Sequence, residues 1–147
     1  MLTLVLALIL CFSSGQWLPP TTVTPGTAVV SEVSSGENLR DRYHEYNEKY
    51  FESKLPEGDS LKVEYSVLPG LHDDSGETFV TNYEGVEEIW IYLNAKLRDF
   101  WFLSDAVLLH EMVHIKLRNL TQKDPHGVLF QKEMHRLMKA GAFDKIL

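Results

Sequence analysis

The ten residues "LLHEMVHIKL", Leu108 to Leu117, set two histidines and a glutamate into a run that is otherwise largely apolar. Polar side chains are costly to bury unless something pairs with them. Val107, Leu108, Leu109, Met112, Val113 and Ile115 surround them and predict a helix covered on most of its sides. Residues four apart on a helix lie one above the other on the same face, so His110 and His114 aim two imidazoles at a common point. Whatever the rest of the chain does, it must pack around this helix and leave that point for a partner of the imidazoles.

A cation is the partner this spacing suits best. Zinc takes imidazole nitrogens at about 2.0–2.1 Å, and a His pair at i and i+4 holds one ion. Glu111 follows His110 directly, which completes the H-E-x-x-H pattern of zinc metalloproteases. In that chemistry the ion lowers the pKa of a water and polarises the scissile carbonyl. Glu111 would act as general base and then pass the proton to the leaving amine. The bland alternative is an amphipathic helix with a solvated polar stripe.

A catalytic zinc has three protein ligands and one open position, so a third ligand is needed. The single cysteine, Cys11, excludes both an intramolecular disulfide and a cysteine-based zinc site. Two candidates remain open on spacing alone. His126, in "KDPHG", lies 12 residues past His114 on a segment that would fold back over the helix. Glu133 lies 19 past His114 on the next helix, close to the thermolysin-like arrangement. The metzincin pattern fails, because Leu117 and Leu120 stand where it needs glycine and histidine.

Charge narrows the partners. The 147 residues carry a net charge of −7, and all 14 Lys and Arg lie at or after Arg40. All but one of the 21 acidic residues lie beyond Ser35, so the folded part is acidic as well. Such a domain is a poor electrostatic match for a phosphate backbone, and no nucleic-acid-binding element is evident.

Along the chain, residues 1–15 read as a signal peptide or apolar leader. "LTLVLALILCF" is an 11-residue apolar run, too short for an ordinary membrane span and within the length of a secretory h-region. Export through transient membrane targeting is the expected consequence. No Lys or Arg precedes the run, which keeps a cytoplasmic location as the alternative. Leu10 argues against a lipoprotein at Cys11. Residues 16–35, rich in Pro, Thr and Ser, read as a flexible linker.

A single domain over residues 36–147 follows. Ser34 with Glu37 fits a capping box, and Leu39, Tyr43, Tyr46 and Tyr50 give the first helix one apolar face. "LKVEYSV", "ETFVTNY" and "EEIWIYL" predict three strands, the last two joined as a hairpin at Glu84–Gly85. Ser104 and Asp105 are expected to start the H-E-x-x-H helix, which runs to about Arg118. A last helix is expected from about Val128 to Ala140. The order predicts an α+β fold, a small three-stranded sheet packed with an N-terminal, an active-site and a C-terminal helix. His44 and His135 are expected in solvent, His72 on a surface loop, and Trp90, Trp101 and Phe102 in the core.

The stretches "YNEKYFESKLP", "LLHEMVHIKL" and "DPHGVLFQKEMHRLMKAGAF" resemble the SprT-like (Spartan-type) zinc metalloprotease domain over roughly Leu39 to Phe143. In that family H-E-x-x-H is followed by an HG-x-x-F segment, matched here by His126, Gly127 and Phe130. The resemblance implies His126, rather than Glu133, as third ligand beside His110 and His114, with one zinc per chain. It implies Glu111 as the catalytic residue and an extended or disordered polypeptide as substrate. Spartan-type proteases carry added DNA-binding elements or a zinc ribbon outside the catalytic core. None is expected here, and removal of proteins crosslinked to DNA is not the expected role. The rival readings are a non-catalytic zinc-binding adaptor and a zinc hydrolase that acts on another bond or uses Glu133.

Overall fold

A computed structural model describes residues 35–67, 75–120 and 124–144. The expected leader, the linker, Ser34 and His72 lie outside the described residues. Helix α1 spans Ser35–Phe51, strands β1, β2 and β3 span Leu61–Ser66, Gly76–Tyr83 and Val86–Asn94, helix α2 spans Trp101–Leu117, and helix α3 spans Val128–Lys139. The fold is α+β, as the element order predicts.

The sheet order is β1-β3-β2, with β3 in the centre, parallel to β1 and antiparallel to β2. Glu84 and Gly85 both take positive φ, 51° and 85°, as a two-residue hairpin of the primed type requires, and pair Tyr83 with Val86. Alternation decides which face is buried. Leu61 and Val63 of β1 pair with Ile89 and Ile91 of β3, and these four point at the helices with Leu93. On the outer face Lys62 pairs with Trp90, and its ammonium sits 3.7 Å from the ring centroid. Trp90 is therefore a half-buried platform residue rather than part of the core.

Helix α2 is the centre of the molecule. Ala106, Val107, Leu108, Leu109, Met112, Val113, Ile115 and Leu117 are all buried, so the helix is covered by the sheet and by α1 and α3. It begins at Trp101, one turn earlier than expected, and Ser104 and Asp105 are buried inside it. The Ser104 hydroxyl donates to Leu97 O at 2.7 Å and accepts from Tyr65 at 2.9 Å. Arg42 forms an ion pair with Asp105 and also donates to Tyr65 at 3.2 Å. Tertiary partners from α1 and β1 thus claim both side chains that a local capping rule assigns to the helix end. The new first residue, Trp101, is 55% exposed, which corrects its expected place in the core. His44 also departs from expectation: it is half-buried, with Nδ1 3.3 Å from Glu57.

Asn47 fixes how α1 leads into the sheet. It is fully buried among the apolar residues of α1, where its amide donates to Leu55 O and accepts from Leu55 N, both at 3.1 Å. It also donates to Glu57 at 2.6 Å. The side chain clamps the turn before β1 by satisfying backbone groups that would otherwise be buried without partners. Asn47→Ala is expected to destabilise the domain by about 2–3 kcal/mol in urea denaturation, because it strands the Leu55 amide and carbonyl. A loss below about 0.5 kcal/mol would contradict that role for the clamp.

Candidate metal centre

His110 and His114 project from the middle of α2, and each is half-buried. His126 comes from the segment before α3 and is exposed. The Nε2 atoms of the three rings lie 3.2 Å (His110–His114), 3.1 Å (His114–His126) and 3.2 Å (His110–His126) apart. This is the group of at least three potential ligands found among the described residues. His126 thus joins the helix pair, as the family resemblance implies.

Three imidazole nitrogens turned toward one another repel unless a proton or a cation lies among them. An equilateral triangle of this size has its corners about 1.8 Å from its centre, just inside the zinc–nitrogen bond length of about 2.0–2.1 Å. A single ion can therefore reach all three nitrogens with one side left open, and the donor set fits a transition metal. Burial, then the charges of His114 and His126, push the His110 imidazole down to about 3. Burial and His126 push His114 down to about 4. Both rings are thereby held in the neutral form that binds metal.

Phe130 holds the rings in place. It is buried on the first turn of α3, and its centroid lies 4.7, 4.7 and 4.9 Å from those of His110, His114 and His126. One aromatic ring therefore packs against all three imidazoles. The segment that carries His126 is itself tightly turned: Gly127 N donates to Asp124 O at 3.1 Å. A Cβ on Gly127 would come to 2.5 Å from an Asp124 carboxylate oxygen, so a larger residue there would have to displace that exposed side chain.

Glu133 is engaged elsewhere. Its carboxylate accepts from Lys116 Nζ at 2.7 Å and from Arg136 at 2.6 and 2.9 Å. Burial works against its charge, but the hydrogen bonds from Arg136 and Lys116 outweigh it and hold the carboxyl below its usual range. Arg136 also donates to Tyr50 O at 2.7 Å, so this cluster ties α3 to α2 and to the end of α1. His135 is exposed, as expected.

Glu111 is buried on the side of α2 that faces β2. Thr78 Oγ1 donates to its Oε2 at 2.8 Å. Sequence reasoning missed Thr78. The alternation of "ETFVTNY" marks it as sharing a face with Gly76 and Val80, but nothing local says which helix residue that face meets. Phe130 appeared only as one letter of a motif, with no sign that it touches every imidazole.

An H-E-x-x-H helix over a small mixed sheet, with a third histidine folded back onto its pair, defines a metalloprotease-like domain. Residues 39–145 match the model of the SprT-like family, and the chain belongs to that family. No curated protein and no solved structure matches it.

The depressed imidazoles couple stability to pH when metal is absent. Below the ordinary value of 6.5 the unfolded chain takes up protons that folded His110 and His114 refuse. Metal-free protein is therefore expected to lose stability as pH falls from 6.5 to 5, above the range where carboxylates titrate. Chemical denaturation of chelator-treated protein measures this. His110→Ala should flatten the slope, and a wild-type slope already flat over that window would contradict the buried neutral rings.

Proposed function

We propose that this chain is a zinc-dependent endopeptidase, with His110, His114 and His126 holding one zinc ion and Glu111 acting as general base. The observation that carries this is the convergence of three Nε2 atoms within 3.2 Å, two of them from a helix that also bears a buried carboxylate. The donor set would take zinc, which supplies Lewis-acid chemistry when bound.

The rest falls to the chain's own residues. The three neutral imidazoles bind and orient the ion, with Phe130 packed against them. The Glu111 carboxylate takes a proton from the attacking water as the water oxygen adds to the scissile carbonyl carbon. The same carboxyl returns that proton to the amide nitrogen as the C–N bond breaks, so the products are a carboxylic acid and an amine. A purely structural metal site has no use for such a carboxylate, which favours hydrolysis over an adaptor role.

The substrate class is an extended or disordered polypeptide. Among the described residues β2 pairs on one side only, with β3. Its other edge offers backbone donors and acceptors to a peptide strand, and Thr78 on β2 touches Glu111. A peptide added there would run past the carboxylate and the imidazoles. The acidic balance of the chain favours polypeptide over nucleic acid as the direct substrate.

Two variants test the proposal. Glu111→Gln is expected to retain one zinc per chain by metal analysis while cleavage of casein or a fluorogenic peptide falls at least 100-fold. Full activity in that variant would refute the mechanism. His126→Ala is expected to weaken zinc binding far more than Glu133→Ala in competition titrations with a chromophoric chelator. The opposite ranking would move the third ligand to Glu133.

A further inference from the structure

We infer that Thr78 is a positioning residue for the general base, and that the start of β2 is built to hold the Glu111 carboxylate in one place. The inference rests on the proposed role of Glu111 and extends it to a strand that carries no part of the H-E-x-x-H or HG-x-x-F motifs.

Two residues on one face of β2 meet Glu111. Thr78 is half-buried and pairs across the ladder with Ile91, a fully buried residue of the central strand. From there its hydroxyl donates to Glu111 Oε2 at 2.8 Å. The β-branched side chain is stiff at χ1, so the hydroxyl direction is set by the strand rather than by a mobile torsion. Gly76, two residues earlier on the same face, lets the strand come close. A Cβ there would lie 2.6 Å from Val107 Cγ1, 3.1 Å from Glu111 Oε1 and 3.3 Å from Glu111 Cγ. The first residue of the strand limits where the carboxylate can swing, and the third gives it a donor.

A glutamate has three side-chain torsions, and a base must lie within a fraction of an ångström of its working position. Helix α2 fixes only the Cα and Cβ of Glu111. The Thr78 bond is charge-assisted, which makes it one of the stronger hydrogen bonds available to hold the carboxylate. Because Thr78 acts through Glu111, its loss should slow turnover without changing how substrate or metal binds.

The test compares Thr78→Val, which keeps the shape and removes the donor, with Thr78→Ser, which restores a hydroxyl. Both are expected to fold and to carry one zinc per chain. With a fluorogenic peptide, Thr78→Val should lower kcat about tenfold, equivalent to about 1.4 kcal/mol, with KM unchanged. Thr78→Ser should recover most of that loss. In a Glu111→Gln background Thr78→Val should cost nothing further. A crystal structure of zinc-loaded Thr78→Val should show the Glu111 carboxylate moved from its wild-type place.

An unchanged kcat together with an unmoved carboxylate would overturn the inference, as would loss of zinc from Thr78→Val. If the wild-type protein cleaves no peptide, the endopeptidase reading fails by itself. The position of the carboxylate in the Thr78→Val crystal structure then still decides whether Thr78 holds it.

Discussion

Three imidazole nitrogens from two separate segments are held within 3.2 Å of one another, and the rest of the molecule is arranged around that convergence. Two of them cost little to align, because four-residue spacing on a helix does it. The third must be brought across from another segment and kept there against the repulsion of like dipoles. Phe130 fills the space behind all three rings, and the Gly127 amide closes the turn around His126 by donating to Asp124 O. Lys116, Glu133, Arg136 and the carbonyl of Tyr50 anchor the helix that follows. The precision of the centre comes from this packing and these ion pairs together.

The same constraint explains why α2 is so thoroughly enclosed. A helix that presents two imidazoles and a carboxylate in fixed directions has little freedom to roll, so its other sides are clamped. Ile89, Ile91 and Leu93 share one apolar core cluster with α2, and such contacts have no preferred direction. The directional part comes from Arg42, Tyr65, Ser104 and Asp105 near the start of the helix, and from Arg118 with Glu87 at its end. Burial raises the Asp105 carboxyl above its usual range, against the opposing pull of Tyr46 and Arg42. A buried ion pair of this kind adds little net stability, yet losing one partner is costly. We read it as a device for fixing the register of α2 rather than for holding the fold together.

Much of the architecture was readable from periodicity. No strand bound moved by more than one residue, and the Glu84–Gly85 hairpin formed as its residues require. What periodicity leaves open is who meets whom. Nothing in "LKVEYSV" says that it lies parallel to the third strand and not beside the second. Ser104 and Asp105 looked like a helix start because capping preference is a local rule. Partners more than 30 residues away in sequence took both side chains instead. At the candidate centre, His110, Glu111 and His114 were legible from spacing, which left His126 and Glu133 both open as third ligand until the family resemblance favoured His126. Thr78 and Phe130 were not, since their importance lies in contacts that only the folded chain creates.

The central claim is that one ion binds to three imidazoles and leaves a place for solvent. X-ray absorption at the zinc edge of the loaded protein measures this directly. The account predicts a first shell of four nitrogen and oxygen atoms at about 2.0–2.1 Å, with outer-shell scattering from three imidazole rings. Scattering from only two rings, with a carboxylate in the shell, would contradict it.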